Sequence, residues 1–167
     1  ATLIDADFGR VLELRPDPAL VSAAQPPPPQ LATIDPITAD EIDHDREFLM
    51  GRVDGGWGIN GEQMDMTRID QTITFGDTER WTITVRDGVH TFHPHQTQFQ
   101  ILEINGQPPP PQDAGWEDTV LVTEDADVVI AARFDSYTNP DPPYMVHCHV
   151  LDHEHLGMMG QFRVVEN

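Results

Sequence analysis

Short apolar and β-branched runs recur along this chain, and their length is what most limits the folds open to it. They fall at residues 11–15, 46–50, 72–75, 81–86, 99–104, 119–123, 128–134, 144–150 and 161–165. Turn-forming pairs such as Gly76-Asp77, Asp87-Gly88 and Asn105-Gly106 lie between them. Runs this short, punctuated by turns, predict an all-β sandwich or barrel. With 167 residues, the chain is long enough to bury a core and falls within the size of one domain, so a single domain over 1–167 is expected.

Two proline-rich stretches interrupt the pattern. Residues 16–45 contain Pro26-Pro27-Pro28-Pro29 and few periodic apolar positions, which reads as a long surface excursion, stiff where the prolines fall. Inside it, Thr38 and Glu41 stand at capping-box spacing and predict a short helical turn over 38–45. Pro108-Pro109-Pro110-Pro111 forms a second rigid loop after the Asn105-Gly106 turn.

Composition excludes several classes. Acidic side chains number 29 against 9 basic ones, all arginine, so there is no basic patch to neutralise phosphates and nucleic acid is not an expected partner. The longest apolar runs fall far short of the ~20 residues that cross a bilayer, so no membrane span is expected. The N-terminal residues lack the basic cluster and apolar core of a signal peptide. Cys148 is the single cysteine, so it is free, metal-bound or paired between chains.

The histidines point to the metal. All but one of the eight fall in two clusters, His90-Thr91-Phe92-His93-Pro94-His95 and His147-Cys148-His149-x3-His153-Glu154-His155. Alternate residues of a strand face opposite sides of a sheet. His90 and Cys148 are therefore expected on one face, and His93, His95, His147 and His149 on the other. Beyond Cys148, a turn closed with the help of Gly157 brings round His153 and Met158. Two imidazoles, a thiolate and a weak thioether, from His90, Cys148, His153 and Met158, are the ligand set of a blue-copper electron-transfer site. A structural zinc would recruit more thiolates or carboxylates and leave Met158 without a role. His44 and His155 read as exposed side chains.

These motifs resemble those of multicopper oxidases. The likeness extends to Trp57-Gly58-Ile59-Asn60-Gly61, Met64-Asp65-Met66, Glu79-Arg80-Trp81, Gln98-Phe99, Ile104-Asn105-Gly106, Gly115-Trp116-Glu117-Asp118-Thr119-Val120 and Gly157-Met158-Met159. It is closest in kind to the third, C-terminal domain of bacterial three-domain enzymes, which include laccases, cuprous oxidases and bilirubin oxidases, and it covers residues 9–167. The resemblance implies a Greek-key cupredoxin barrel holding type 1 copper through His90, Cys148, His153 and Met158. It also implies that His93 binds a type 2 copper and that His95, His147 and His149 bind a type 3 pair. The remaining ligands of that trinuclear cluster would come from an N-terminal cupredoxin domain of the same oxidase or from a companion chain.

Function follows as an expectation from the same likeness. A small reducing substrate, a phenol, aromatic amine or metal ion, gives up single electrons, and O2 is reduced to water. Glu154 matches a carboxylate that relays protons, and its other reading is a solvated acid in an acidic protein. A periplasmic or secreted location is implied too. Thr91 and Pro94 depart from the family pattern, and Pro94 is expected to disturb the strand between His93 and His95. The methionine-rich insert of cuprous oxidases is absent, which favours a general reductant pocket near His90 and His153. The alternatives are a self-contained electron-transfer cupredoxin and a module that only stores or senses copper.

Overall fold

The computed structural model describes residues 2–5, 9–13, 15, 17, 26, 28, 32–138 and 141–166. The chain divides after Thr33 into two units. In the first, β1 (Thr2–Asp5) and β2 (Gly9–Glu13) pair as an antiparallel hairpin. The strand expected over 11–15 is thus displaced toward the N-terminus. Within the proline-rich stretch, residues 16, 18–25, 27 and 29–31 lie outside the described residues.

The second unit carries two five-stranded sheets, the all-β cupredoxin architecture. One contains β3 (His44–Val53), β4 (Gly56–Ile59), β6 (Thr78–Val85), β8 (Phe99–Ile104) and β10 (Val128–Arg133), in the order β4-β3-β6-β10-β8. The other contains β5 (Gln71–Thr74), β7 (Val89–Pro94), β9 (Val120–Thr123), β11 (Tyr144–Cys148) and β12 (Met159–Val165), in the order β5-β12-β11-β7-β9. The β3–β6 and β5–β12 pairs are parallel and the other ladders antiparallel. One short helix, α1 (Leu151–His155), follows β11. No helix among the described residues is long and apolar enough to cross a membrane.

Alternation drives the packing. Along β6, Trp81, Ile83 and Val85 are buried while Arg80, Thr82 and Thr84 are partly exposed, so one face turns inward. Phe48 and Trp81 of the first sheet meet Phe92 and Phe162 of the second, with ring centroids 5.1–6.3 Å apart. The Asn105-Gly106 turn has the two positive φ values, 52° and 69°, of a type I′ hairpin turn.

The excursion ends earlier than its expected limit at residue 45. Ile37 is buried; its N–H donates to Gln100 Oε1 at 2.9 Å, and the Gln100 amide donates to the Asp35 carbonyl at 2.9 Å. The helical turn is a single 3-10 turn, Ala39–Glu41, in which the Glu41 carboxylate accepts the Thr38 N–H at 2.8 Å. It does not continue to residue 45, because from His44 onward the backbone bonds to β6.

A buried ion pair ties the two sheets together. Glu79 is fully buried, and its carboxylate accepts two hydrogen bonds from Arg46, at 2.5 and 2.7 Å, and one from the Trp81 indole at 2.7 Å. Arg46 also donates to Gln71 Oε1 and the Thr72 carbonyl on β5. Glu79→Ala would strand the guanidinium and the indole N–H, so it is expected to cost about 3–5 kcal/mol of stability in urea unfolding. A loss below about 1 kcal/mol would place this pair among those worth no more than a surface contact.

Candidate metal centre

The two histidine clusters meet because β7 and β11 are neighbours. Their ladder sets Cys148 opposite Phe92, His147 opposite His93 and Val146 opposite Pro94. Strand alternation then sends His90, Phe92 and Cys148 into the core and leaves His93 and His147 on the other face. Pro94 does not break the strand. Its ring is buried at the Val146 pair, and the next N–H, that of His95, donates to the Met145 carbonyl at 2.8 Å.

On the core side, His90 Nδ1 and His153 Nδ1 lie 3.0 Å apart, and Cys148 Sγ lies 3.8 and 3.7 Å from them. With bond lengths of about 2.0–2.1 Å to nitrogen and about 2.3 Å to sulfur, a trigonal ion would space such donors by about 3.5 and about 3.8 Å. The triangle therefore fits a metal ion after shifts of a few tenths of an ångström. Its donors, a pair of imidazole nitrogens and one thiol sulfur, suit copper. Behind it, His90 Nε2 meets the Arg86 carbonyl at 3.2 Å, an outer contact that places the ring proton on Nε2 and leaves Nδ1 free to bind. The Thr91 hydroxyl accepts the His149 N–H at 2.8 Å and stands 3.9 Å from Cys148 Sγ, free to donate its proton to a thiolate.

Backbone bonds fix the loop that brings His153 and Met158. The Cys148 N–H donates to the Met158 carbonyl and the Met158 N–H to the His153 carbonyl, each at 3.0 Å. Met158 is completely buried beside these residues. Gly157 turns the chain at φ 103°, and a Cβ there would crowd Gln63 and the Trp57 carbonyl at 3.1–3.2 Å. Strand β4 and the segment after it hold this loop, since the Trp57 N–H and the Gln63 amide both donate to the Leu156 carbonyl.

The opposite face gathers a second group. Nitrogen atoms of His93, His95 and His147 lie within 4.8 Å of one another, and His95 Nε2 is 3.1 Å from His147 Nε2. His149 stands next to them, its ring 5.1 Å from that of His93 and 5.3 Å from that of His147, but outside the three-nitrogen cluster. His93 Nδ1 contacts the Asp118 carbonyl at 2.7 Å and the Thr119 hydroxyl at 3.0 Å. Glu154 Oε2 is 3.5 Å from His147 Nδ1, which sets this carboxylate against the second group. His155 is exposed, and His44 is exposed with Nε2 3.3 Å from Asp77.

Burial lowers the pKa of His90, His95, His147 and His153 from the ordinary 6.5, with neighbouring imidazoles adding to the effect at His95. Imidazoles with lowered pKa are neutral near pH 7, the form that binds metal. Their stabilising contribution is full above about pH 6.5 and is lost as the pH falls through the lowered folded values. An NMR titration of the metal-free chain is expected to place these four midpoints below 6.5. Midpoints at or above that value would contradict the burial.

The sequence motifs include Trp57 but give neither it nor Arg52 a place at the first site. Trp57 is buried with its ring 4.1 Å from His153 and 5.2 Å from His90, and the Arg52 guanidinium lies 4.2 Å from the indole centroid. The strand-turn-strand spacing pairs Arg52 with Trp57 across β3 and β4.

Comparison with known proteins agrees with this geometry. Residues 25–167 match the family model described as multicopper oxidase. The chain is 38% identical over 111 residues to the multicopper oxidase mco of Staphylococcus epidermidis, covering 64% of this chain and 24% of that protein. It is 32% identical over 151 residues to the cell division protein FtsP of Dickeya dadantii, covering 90% of this chain and 31% of the relative. A laccase-like multicopper oxidase from an Ochrobactrum species superposes with a TM-score of 0.79 at 32% identity, over 89% of this chain and 36% of that one. The chain thus spans no more than about a third of the curated relatives it matches. Fold, motif and relatives agree, and the chain belongs to the multicopper oxidase family.

Proposed function

We propose that this chain is the C-terminal cupredoxin domain of a bacterial multicopper oxidase, periplasmic or secreted, with type 1 copper bound by His90, Cys148, His153 and Met158. The observation that carries this is the closed triangle of His90 Nδ1, Cys148 Sγ and His153 Nδ1 beside the buried Met158. Copper bound there supplies a one-electron acceptor tuned by its axial ligand and by the apolar surroundings of the sulfur. Titrating the metal-free chain with Cu(II) should develop the intense visible band of thiolate-to-copper charge transfer. A colourless, copper-loaded chain would remove the proposal.

The protein's own groups divide the remaining tasks. His90 and His153 are held by the core and by α1, and Cys148 links the first site through its backbone to His147 and His149. His93 serves a type 2 copper and His95, His147 and His149 a type 3 pair, with complementary histidines from another cupredoxin domain or a companion chain. Phenols, aromatic amines or metal ions give electrons at the first site, and O2 becomes water at the second. Glu154, with its oxygen 3.5 Å from His147 Nδ1, holds a proton within reach of the second site. In the assembled oxidase, Glu154→Gln should slow turnover by about 10² while leaving the visible band intact. Equal turnover across pH would exclude that role.

A second reading draws on the likeness to cell division proteins over 90% of the chain. In it the domain is an electron-transfer cupredoxin or copper-binding module without oxidase turnover. Oxygen uptake by the full-length protein with a phenolic donor separates the two.

A further inference from the structure

One hydroxyl beside the first site has no part in its ligand set. Thr91, a departure from the family pattern, lies on β7 between His90 and Phe92, both completely buried. One residue beyond the pairing of Cys148 with Phe92, the His149 N–H donates to the Thr91 carbonyl at 3.1 Å and to the Thr91 hydroxyl at 2.8 Å. Accepting that bond turns an oxygen lone pair toward His149 and leaves the hydroxyl proton for another acceptor. The other partner of this oxygen among the described residues is Cys148 Sγ, at 3.9 Å.

The sulfur in turn has few partners. Among the described residues it meets His90 Nδ1 and His153 Nδ1, at 3.8 and 3.7 Å, and the Thr91 hydroxyl. A metal ion in the triangle takes both imidazole nitrogens as ligands, so neither can donate to the sulfur. The Cys148 N–H is bonded to the Met158 carbonyl. Thr91 is then the remaining donor. Metal binding also fixes the direction of the contact, because the ligand is a thiolate and a thiolate only accepts. A charged acceptor shortens and strengthens such a bond. Cys148 is completely buried, so water does little to screen it.

We infer that Thr91 raises the reduction potential of the first site by donating a hydrogen bond to the Cys148 thiolate. The inference rests on the type 1 copper reading above. Reduction puts more negative charge on the copper–sulfur pair, so the bond is stronger beside Cu(I) than beside Cu(II), and the reduced form is favoured. One electron enters, Cu(II) becomes Cu(I), and the proton stays on the Thr91 oxygen. Thr91 is a positioning residue, since it acts through Cys148.

Thr91→Val tests this, because it keeps the shape of the side chain and removes the hydroxyl. The His149 N–H retains the backbone carbonyl of residue 91 as its acceptor, so the fold should persist. In the copper-loaded chain, spectroelectrochemical titration should show the preference for Cu(I) falling by about tenfold, a potential lower by about 59 mV. The visible band should move to longer wavelength, since a sulfur that has lost its hydrogen bond gives up charge more readily. Thr91→Ala removes the same hydroxyl and should give the same two shifts, so the test does not depend on the valine variant folding. Thr91→Ser retains the hydroxyl and should stay near the parent in both. A merely structural role would change stability without separating serine from alanine. Parent-like potential and band in the valine or alanine variant, or a serine variant that shifts as far as they do, would overturn the inference alone. Absence of the visible band in the parent would overturn the copper reading and the inference with it.

Discussion

Replacing Cys148 by serine is expected to abolish the visible band of the copper-loaded chain completely. The band requires a thiolate bonded to Cu(II), and a serine hydroxyl neither ionises near pH 7 nor gives a low-energy charge transfer. The fold should survive the change. Cys148 is fully buried at the end of β11, yet the new hydroxyl is close to the size of the thiol and has Thr91 nearby as a partner. The loss to stability is expected to stay near about 1–2 kcal/mol, small enough for far-UV circular dichroism to remain unchanged. A band surviving in the serine variant would sink the type 1 assignment. Met158→Leu is the companion test, because it removes a weak axial donor while keeping the side-chain volume. Colour should persist and the reduction potential should rise. An unchanged potential would reduce Met158 to a packing residue.

Strand patterning made much of this site legible, and the same logic shows where legibility stopped. A period of two fixed the faces of β7 and β11, so His90 with Cys148 and His93 with His147 could be sorted from the sequence alone. The core strand 99–104 was also readable from its apolar run, and β8 has those bounds. β7 was absent from the apolar runs because metal chemistry occupies it: its inward positions are His90, Phe92 and Pro94. β4 escaped notice for a different reason. Gly56 and Gly58 carry no hydrophobic signal, yet a Cβ on either would collide with the Leu156 or Glu62 carbonyl. The contact of Trp57 on β4 with His153 on α1 joins positions about 100 residues apart and leaves no local period to read.

On its own, the 167-residue chain is expected to hold type 1 copper and cycle single electrons, yet fail to sustain reduction of oxygen to water. His93, His95 and His147 converge and His149 stands beside them, which by the family resemblance is half of a trinuclear cluster's imidazoles. The other histidines do not supply the remainder. His90 and His153 are committed to the Cys148 site, His155 is exposed, and His44 lies against Asp77. A second copy of the chain offers the same half-site, and two identical faces joined by a twofold axis do not reproduce a complementary one. Four-electron chemistry needs several coppers close enough to act on one O2, so a chain limited to one of the two ligand sets stalls after one electron. Oxygen uptake with a phenolic donor, combined with metal counting on the purified chain, decides the matter. The expected result is a visible band that bleaches and recovers slowly without sustained uptake, and gain of turnover when a complementary cupredoxin domain is supplied. Sustained conversion of O2 to water by the chain alone, with about four coppers bound, would show that its own histidines complete the cluster.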